Sequence, residues 1–153
     1  MPHVTFIRHA ESEFNANPVQ DHALINCDIT TNGMKQCKKL DLSFDLLIMT
    51  PLKRSQSTYI HSNIKAKKLD ILSLFREYKQ DVCDFLKDEK LIKETEEEII
   101  SRVRKAIDYL RSLKEKNIGV IGHSDFIWYF MKEITGNDEH EILKNCEYIV
   151  ITI

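Results

Sequence analysis

Apolar residues gather in three short runs along the chain, at 3–7 (HVTFI), 45–49 (DLLIM) and 117–121 (NIGVI), each followed by a polar break and then a helix-like stretch. Near-continuous apolar strands alternating with helices predict a mostly parallel sheet covered on both faces, since a strand buried on one face only would alternate apolar with polar. A weaker strand candidate lies at 69–72, and the terminal EYIVITI, 147–153, reads as a last strand. Between 96 and 113, Ile99, Ile100, Val103, Ile107 and Leu110 recur at three- and four-residue intervals, with acidic residues early and basic residues late, as the helix dipole prefers. This stretch reads as a surface helix packed on the sheet. Thr30 or Thr31 can cap a helix running to about residue 40, Pro51 suits the first turn of a helix through about residue 62, and 125–134 reads as another. The expected fold is α/β, a three-layer α/β/α sandwich.

Composition narrows this further. At 153 residues, 42% hydrophobic, the chain suffices for one substantial core and is short for two, so a single domain over 1–153 is expected. Twenty-two basic against 24 acidic residues leave a charge of −2, which gives no global positive field for nucleic acid or an anionic membrane. Any bound anion must meet a local cluster. Cys27, Cys37, Cys83 and Cys146 lack the paired spacings of a zinc site or a redox motif and read as reduced, mostly buried thiols. MPHVTFIRH is unlike a secretory signal, and no apolar run approaches the roughly 20 residues of a membrane helix, so a soluble, cytoplasmic protein is expected.

In a sheet of this kind ligands bind beyond the carboxyl ends of the strands. The first strand ends in Arg8 and His9, TPLKRSQST after the second carries Arg54, and GHSD after the third carries His123. Two guanidinium groups and two imidazoles would face one pocket, a repulsive cluster that calls for a neutralising anion. RHAESEFN, with Asn15 at its end, resembles the R-H-G-E-T-x-x-N signature of the histidine phosphatase (phosphoglycerate mutase-like) superfamily. ITTNGMKQC resembles its L-T-x-x-G-x-x-Q-A segment, TPLKRSQST its S-P-L-x-R-A-x-Q-T, LFREY the stretch that supplies an acid, and VIGHSD its V-S-H-G-G, all in the family's order. Ala10 and Ser124 stand where the family usually has glycine.

The resemblance implies a phosphoglycerate mutase-like fold, with His9 as the nucleophile that takes the phosphoryl group. Arg8, Arg54 and His123 would hold non-bridging oxygens, Glu77 would protonate the leaving alkoxide, and Asn15 and Ser124 would assist in binding. Such a site needs no metal and no cofactor, because fixed positive donors stabilise the equatorial oxygens of a loose transition state. Glu11 is the rival carboxylate, and its place in the signature suggests a structural role. A metal-independent phosphomonoesterase is the leading reading, on a small phosphorylated substrate or, second, a phosphoprotein. Mutase-type transfer is less favoured, since residues between Glu77 and Glu96 include only Lys79, Lys87, Lys90 and Lys93 as cations. A phosphohistidine protein phosphatase and an inert phosphate-binding module remain alternatives.

Other nucleophiles fail on spacing. No cysteine has an arginine six positions later, and Gly33, Gly119, Gly122 and Gly136 form neither a Walker loop nor a dinucleotide fingerprint. Ser124 lacks the second glycine of a G-x-S-x-G elbow, because Phe126 stands there. His3, His22, His61 and His140 read as ordinary surface or core residues, with His22 in a loop, 17–27, expected to border the pocket together with 78–91. Arg76 reads as a surface charge, and ETEEE at 94–98 as a solvated helix start.

Overall fold

The computed structural model describes residues 1–153 and contains five strands in one sheet. In chain order they are β1 (His3–Arg8), β2 (Ser43–Met49), β3 (Lys65–Ile71), β4 (Asn117–Gly122) and β5 (Tyr148–Thr152), arranged β3-β2-β4-β1-β5 across the sheet. Only β5 runs antiparallel. The helices are α1 (Glu13–Ala16), α2 (Thr31–Cys37), α3 (Lys53–Ile60), α4 (Glu96–Ser112) and α5 (Ser124–Thr135), with single 3₁₀ turns at His22–Leu24, Ser73–Phe75 and Val82–Asp84.

Alternation along the central strands sorts side chains into two cores. Val4, Phe6, Leu46, Ile48, Ile118 and Val120 face α4 and α5, where they meet Ile99, Val103, Phe126 and Phe130. Their neighbours Ile7, Leu47, Met49 and Ile121 face the other way, toward Cys37 and Leu40 beside α2. Each central strand, β1, β2 and β4, is therefore apolar on both faces, as the near-continuous runs predict. Gly119 belongs to this packing, because a Cβ there would lie 2.6 Å from the Phe44 ring. All four cysteines are buried and unbridged, and no helix is long and apolar enough to cross a membrane.

Three boundaries differ from the sequence reading. The strand expected at 69–72 begins at Lys65, and its KAKKLDI pattern is largely exposed, as befits an edge strand whose lysines discourage further pairing. Pro51 lies outside its helix: Leu52 is the extended N-cap (φ −72°, ψ 137°), and the preceding turn is used to bind the Thr50 N–H to Ser55 Oγ. The helix after Thr30 closes at Cys37, and a further turn carries the chain to Leu40, whose N–H donates to the Cys37 carbonyl.

Candidate active site

Register brings the two histidines together. Arg8 pairs with Gly122 across the parallel β1–β4 ladder, so the next residues, His9 and His123, leave adjacent strand ends side by side, with ring centroids 5.3 Å apart. The His9 N–H donates to the Gly122 carbonyl, which fixes the chain at that point. Met49 pairs with Ile121, so Thr50 follows beside His123, and its hydroxyl lies 2.9 Å from His123 Nε2.

His9 is oriented by two contacts of opposite character. Its Nδ1 lies 2.7 Å from the Ala10 carbonyl, an acceptor only, so Nδ1 carries the proton. Arg54 Nε donates to His9 Nε2 at 3.3 Å, so Nε2 presents its lone pair. Burial, then the Arg54 charge, holds the His9 imidazolium pKa well below its ordinary value, with Arg8 adding to the effect. Burial and Arg54 do the same to His123. Both shifts favour the neutral ring, and the Nε2 lone pair of His9 faces Arg54 at the strand ends.

The anion that the cationic cluster calls for comes from the chain itself. Arg54, 2% exposed, donates Nη2 to Asp84 Oδ1 at 2.9 Å and Nη1 to the Cys83 carbonyl at 2.5 Å. Asp84 Oδ2 accepts the N–H groups of Gln80 and Asp81. Arg76 reinforces this segment from beneath, giving Nη2 to the Asp84 carbonyl and both terminal nitrogens to Glu89. Arg76 is thus a buried brace, contrary to its reading as a surface charge, because the 3₁₀ turn at Val82–Asp84 folds back over it.

Glu77 sits at the N-terminus of α5. Its Oε1 accepts from the N–H groups of Tyr78 and Phe126, and its Oε2 from the Asp125 N–H and, at 3.4 Å, from Ser124 Oγ. Burial pushes its pKa up to about 8, with Asp125 and Asp84 contributing in the same direction. A carboxyl group that keeps its proton at neutral pH is equipped to donate it.

The RHAESEFN and ITTNGMKQC segments meet as a support for β1. Thr30 caps α2 by accepting the Gly33 N–H, and its hydroxyl donates to Glu11 Oε1 at 2.7 Å. Gln36 Oε1 accepts the Glu11 N–H. Gly33 is required because the Glu11 carbonyl occupies the space a Cβ would take. Glu11 therefore ties loop to helix. Asn15 and Ser12 form a reciprocal cap on α1. Ala10 has no positive φ, so its methyl fits where the family usually has glycine, and its N–H donates to Thr58 Oγ1.

A cavity of about 160 Å³ opens where these parts converge, walled by Arg8, His9, Asn15, Arg54, Glu77 and Ser124. Asp81, Asp84 and Asp125 complete its polar rim. A wider groove of about 460 Å³ along α4 contains no histidine and one apolar side chain. The structure thus brings together Arg8, His9, Asn15, Arg54, Glu77 and Ser124. His123 is fully buried behind His9 and is not part of the wall, and its Nδ1 has no partner. Loop 17–27 does not line the cavity either. Instead its Gln20 braces the Asp81 carboxylate and the Val82 N–H, and His22 is exposed. Two residues escaped the sequence reading: Asp84, and Asn145, whose side chain donates to the His9 carbonyl at 3.0 Å. Asn145 precedes Cys146, a non-glycine at φ 61° whose N–H donates to the Arg8 carbonyl. Neither lies in a motif.

No protein-family model matches the chain, and no curated protein matches it in sequence. Solved structures do match in shape. A candidate alpha-ribazole-5'-P phosphatase from Escherichia coli aligns with 100% of this chain and 91% of its own, at TM-score 0.80 and 20% identity. The alpha-ribazole phosphatase from Shigella flexneri aligns with 99% of this chain and 90% of its own, at TM-score 0.77 and 20% identity. The protein histidine phosphatase SixA, complexed with tungstate, covers 99% and 88%, at TM-score 0.62 and 14% identity. At such identities the likeness is one of fold: the α/β/α sandwich of this chain is the phosphoglycerate mutase-like fold that these phosphatases share.

Proposed function

We propose that this chain is a phosphatase of the histidine phosphatase type, which hydrolyses small phosphomonoesters through a phosphohistidine on His9 without a metal. The observation that carries the reading is the pair of contacts that leave His9 Nε2 unprotonated at the cavity: Nδ1–H is held by the Ala10 carbonyl, and the Nε2 lone pair accepts from Arg54 Nε, a contact that an incoming phosphoryl group would replace. In the first step Nε2 attacks phosphorus, the bond from phosphorus to the ester oxygen breaks, and Glu77 gives its proton to the departing oxygen. Water then attacks the phosphohistidine, the bond from phosphorus to His9 Nε2 breaks and returns the lone pair to the ring, Glu77 takes the water's proton, and inorganic phosphate leaves. Arg8 and Arg54 stabilise the equatorial oxygens in both steps, which requires the phosphate to share Arg54 with Asp84. His123, neutral and directly behind His9, contributes through its packing and its contact with Thr50.

Hydrolysis fits better than transfer to a second phosphorylated acceptor, because Asp81, Asp84 and Asp125 on the rim would repel a further phosphate. Incubation with an aryl phosphate in excess chelator tests the reading. Steady release of inorganic phosphate, abolished by His9→Ala, supports it. Tight phosphate binding without turnover would favour an inert binding module, and exclusive action on phosphoproteins would move the substrate class.

A further inference from the structure

A second cavity, of about 260 Å³, lies between α5, the connection 137–147 and β5. Its walls are mainly Ile127, Trp128, Met131, Leu143, Tyr148 and Ile149, with His140 and Glu141 among the remaining groups. Two contacts tie it to the phosphate cavity. Ser124 lines both spaces. Arg8 donates Nη1 to the carbonyl of Leu143, a wall residue of the apolar space, at 2.7 Å.

The chemistry of the first cavity gives the second one a direction. The leaving oxygen must be next to its proton donor, and the donor Glu77 accepts from Ser124 Oγ, the residue common to both spaces. A phosphoester held at His9 and protonated by Glu77 thus directs its organic part past Ser124. The Trp128 indole N–H is already satisfied by the His140 carbonyl at 3.0 Å, so the ring offers apolar surface without an unmet donor. A concave apolar space with few polar groups, next to a reactive centre, is what an apolar ligand portion requires.

Resting on the phosphatase reading, we infer that this cavity is the leaving-group subsite, and that the preferred substrates are phosphomonoesters of compact apolar alcohols. The rim carboxylates act in the same sense, since they disfavour leaving groups that carry further negative charge. Cyclohexylmethyl phosphate and glycerol 3-phosphate separate the apolar from the polar case.

The expected kcat/KM ratio favours the cyclohexylmethyl ester by at least about 10-fold, given that one or a few methylenes in an apolar pocket discriminate by roughly 10- to 200-fold. Trp128→Ala contracts this ratio toward unity. Tyr148→Glu, at a position 48% exposed and so harmless to the core, does the same by charging the mouth. Trp128 is the sole tryptophan, so cyclohexylmethanol added to the wild-type protein is expected to change its fluorescence saturably, whether or not catalysis occurs. Equal kcat/KM for the two esters, or a preference untouched by both substitutions, overturns the inference. Absence of turnover with a saturable fluorescence response sinks the phosphatase reading and leaves the apolar binding site standing. Absence of that response removes the site itself.

Discussion

Arg54 joins the nucleophile to the acidic side of the cavity: His9, the Cys83 carbonyl and Asp84 take three of its donors, and its remaining N–H groups are left for an incoming oxyanion. Arg54→Ala is expected to lower kcat/KM on the order of 10²–10³-fold, the usual loss when one preorganised transition-state donor is removed. The same change leaves Asp84 buried without its cation, which should destabilise the fold by about 3–5 kcal/mol, measurable by urea denaturation. Glu77→Gln separates proton donation from binding. It should lower kcat roughly 10²–10⁴-fold on alkyl phosphates and far less on a nitrophenyl ester, whose leaving group needs no proton. In the wild-type enzyme, kcat should fall as pH rises through about 8, where Glu77 loses its proton, and this alkaline limb should vanish in Glu77→Gln. The acid limb due to His9 should lie well below pH 6.5.

Individual elements show which features local sequence can and cannot encode. Thr30, with Thr31 as its alternative, was legible as a cap because capping is local to α2, whereas Gly33 and Gln36 were matched only through the resemblance of ITTNGMKQC, their contacts being with the sequence-distant Glu11. Thr30→Ala removes both the cap and the Glu11 contact and should cost about 1–2 kcal/mol, read from thermal unfolding. The charges of β3 hid its first half, since KAKKLDI has the polarity of a loop and is a strand only through its pairing with β2. Pro51 misled because α3 starts after Leu52, leaving the proline in the turn whose Thr50 N–H is bound by Ser55 Oγ. Arg8, His9 and Arg54 could be placed from strand ends and motif order; His123 stands at its expected strand end but lies buried behind His9 and off the cavity wall, where it was expected to hold phosphoryl oxygens. Asp84, Arg76 and Asn145 could not, because their roles arise from loops whose path depends on contacts distant in sequence.

Across the whole molecule, two apolar cores grip the sheet and leave its carboxyl edge to polar chemistry. That arrangement buries two neutral imidazoles, which makes stability depend on pH. Histidines in the unfolded chain titrate at about 6.5, whereas His9 and His123 in the fold titrate well below it. The unfolded state therefore binds more protons in between, so this contribution is complete above about 6.5 and is lost as pH falls below it. Glu77 acts in the opposite sense: its raised pKa makes stability fall between its unfolded value and about 8. The melting temperature of His123→Asn should accordingly decline less than that of the wild type between about pH 6.5 and 5.

The central claim, covalent catalysis by His9, is tested most directly by mixing the protein with excess phosphomonoester, quenching in alkali, where phosphohistidine survives, and locating the adduct by peptide mass spectrometry. A phosphoryl group on the peptide containing His9, absent from His9→Ala and discharged by acid, is the expected result. Steady turnover with no trapped phosphopeptide at short mixing times, or an adduct on any other residue, would contradict it.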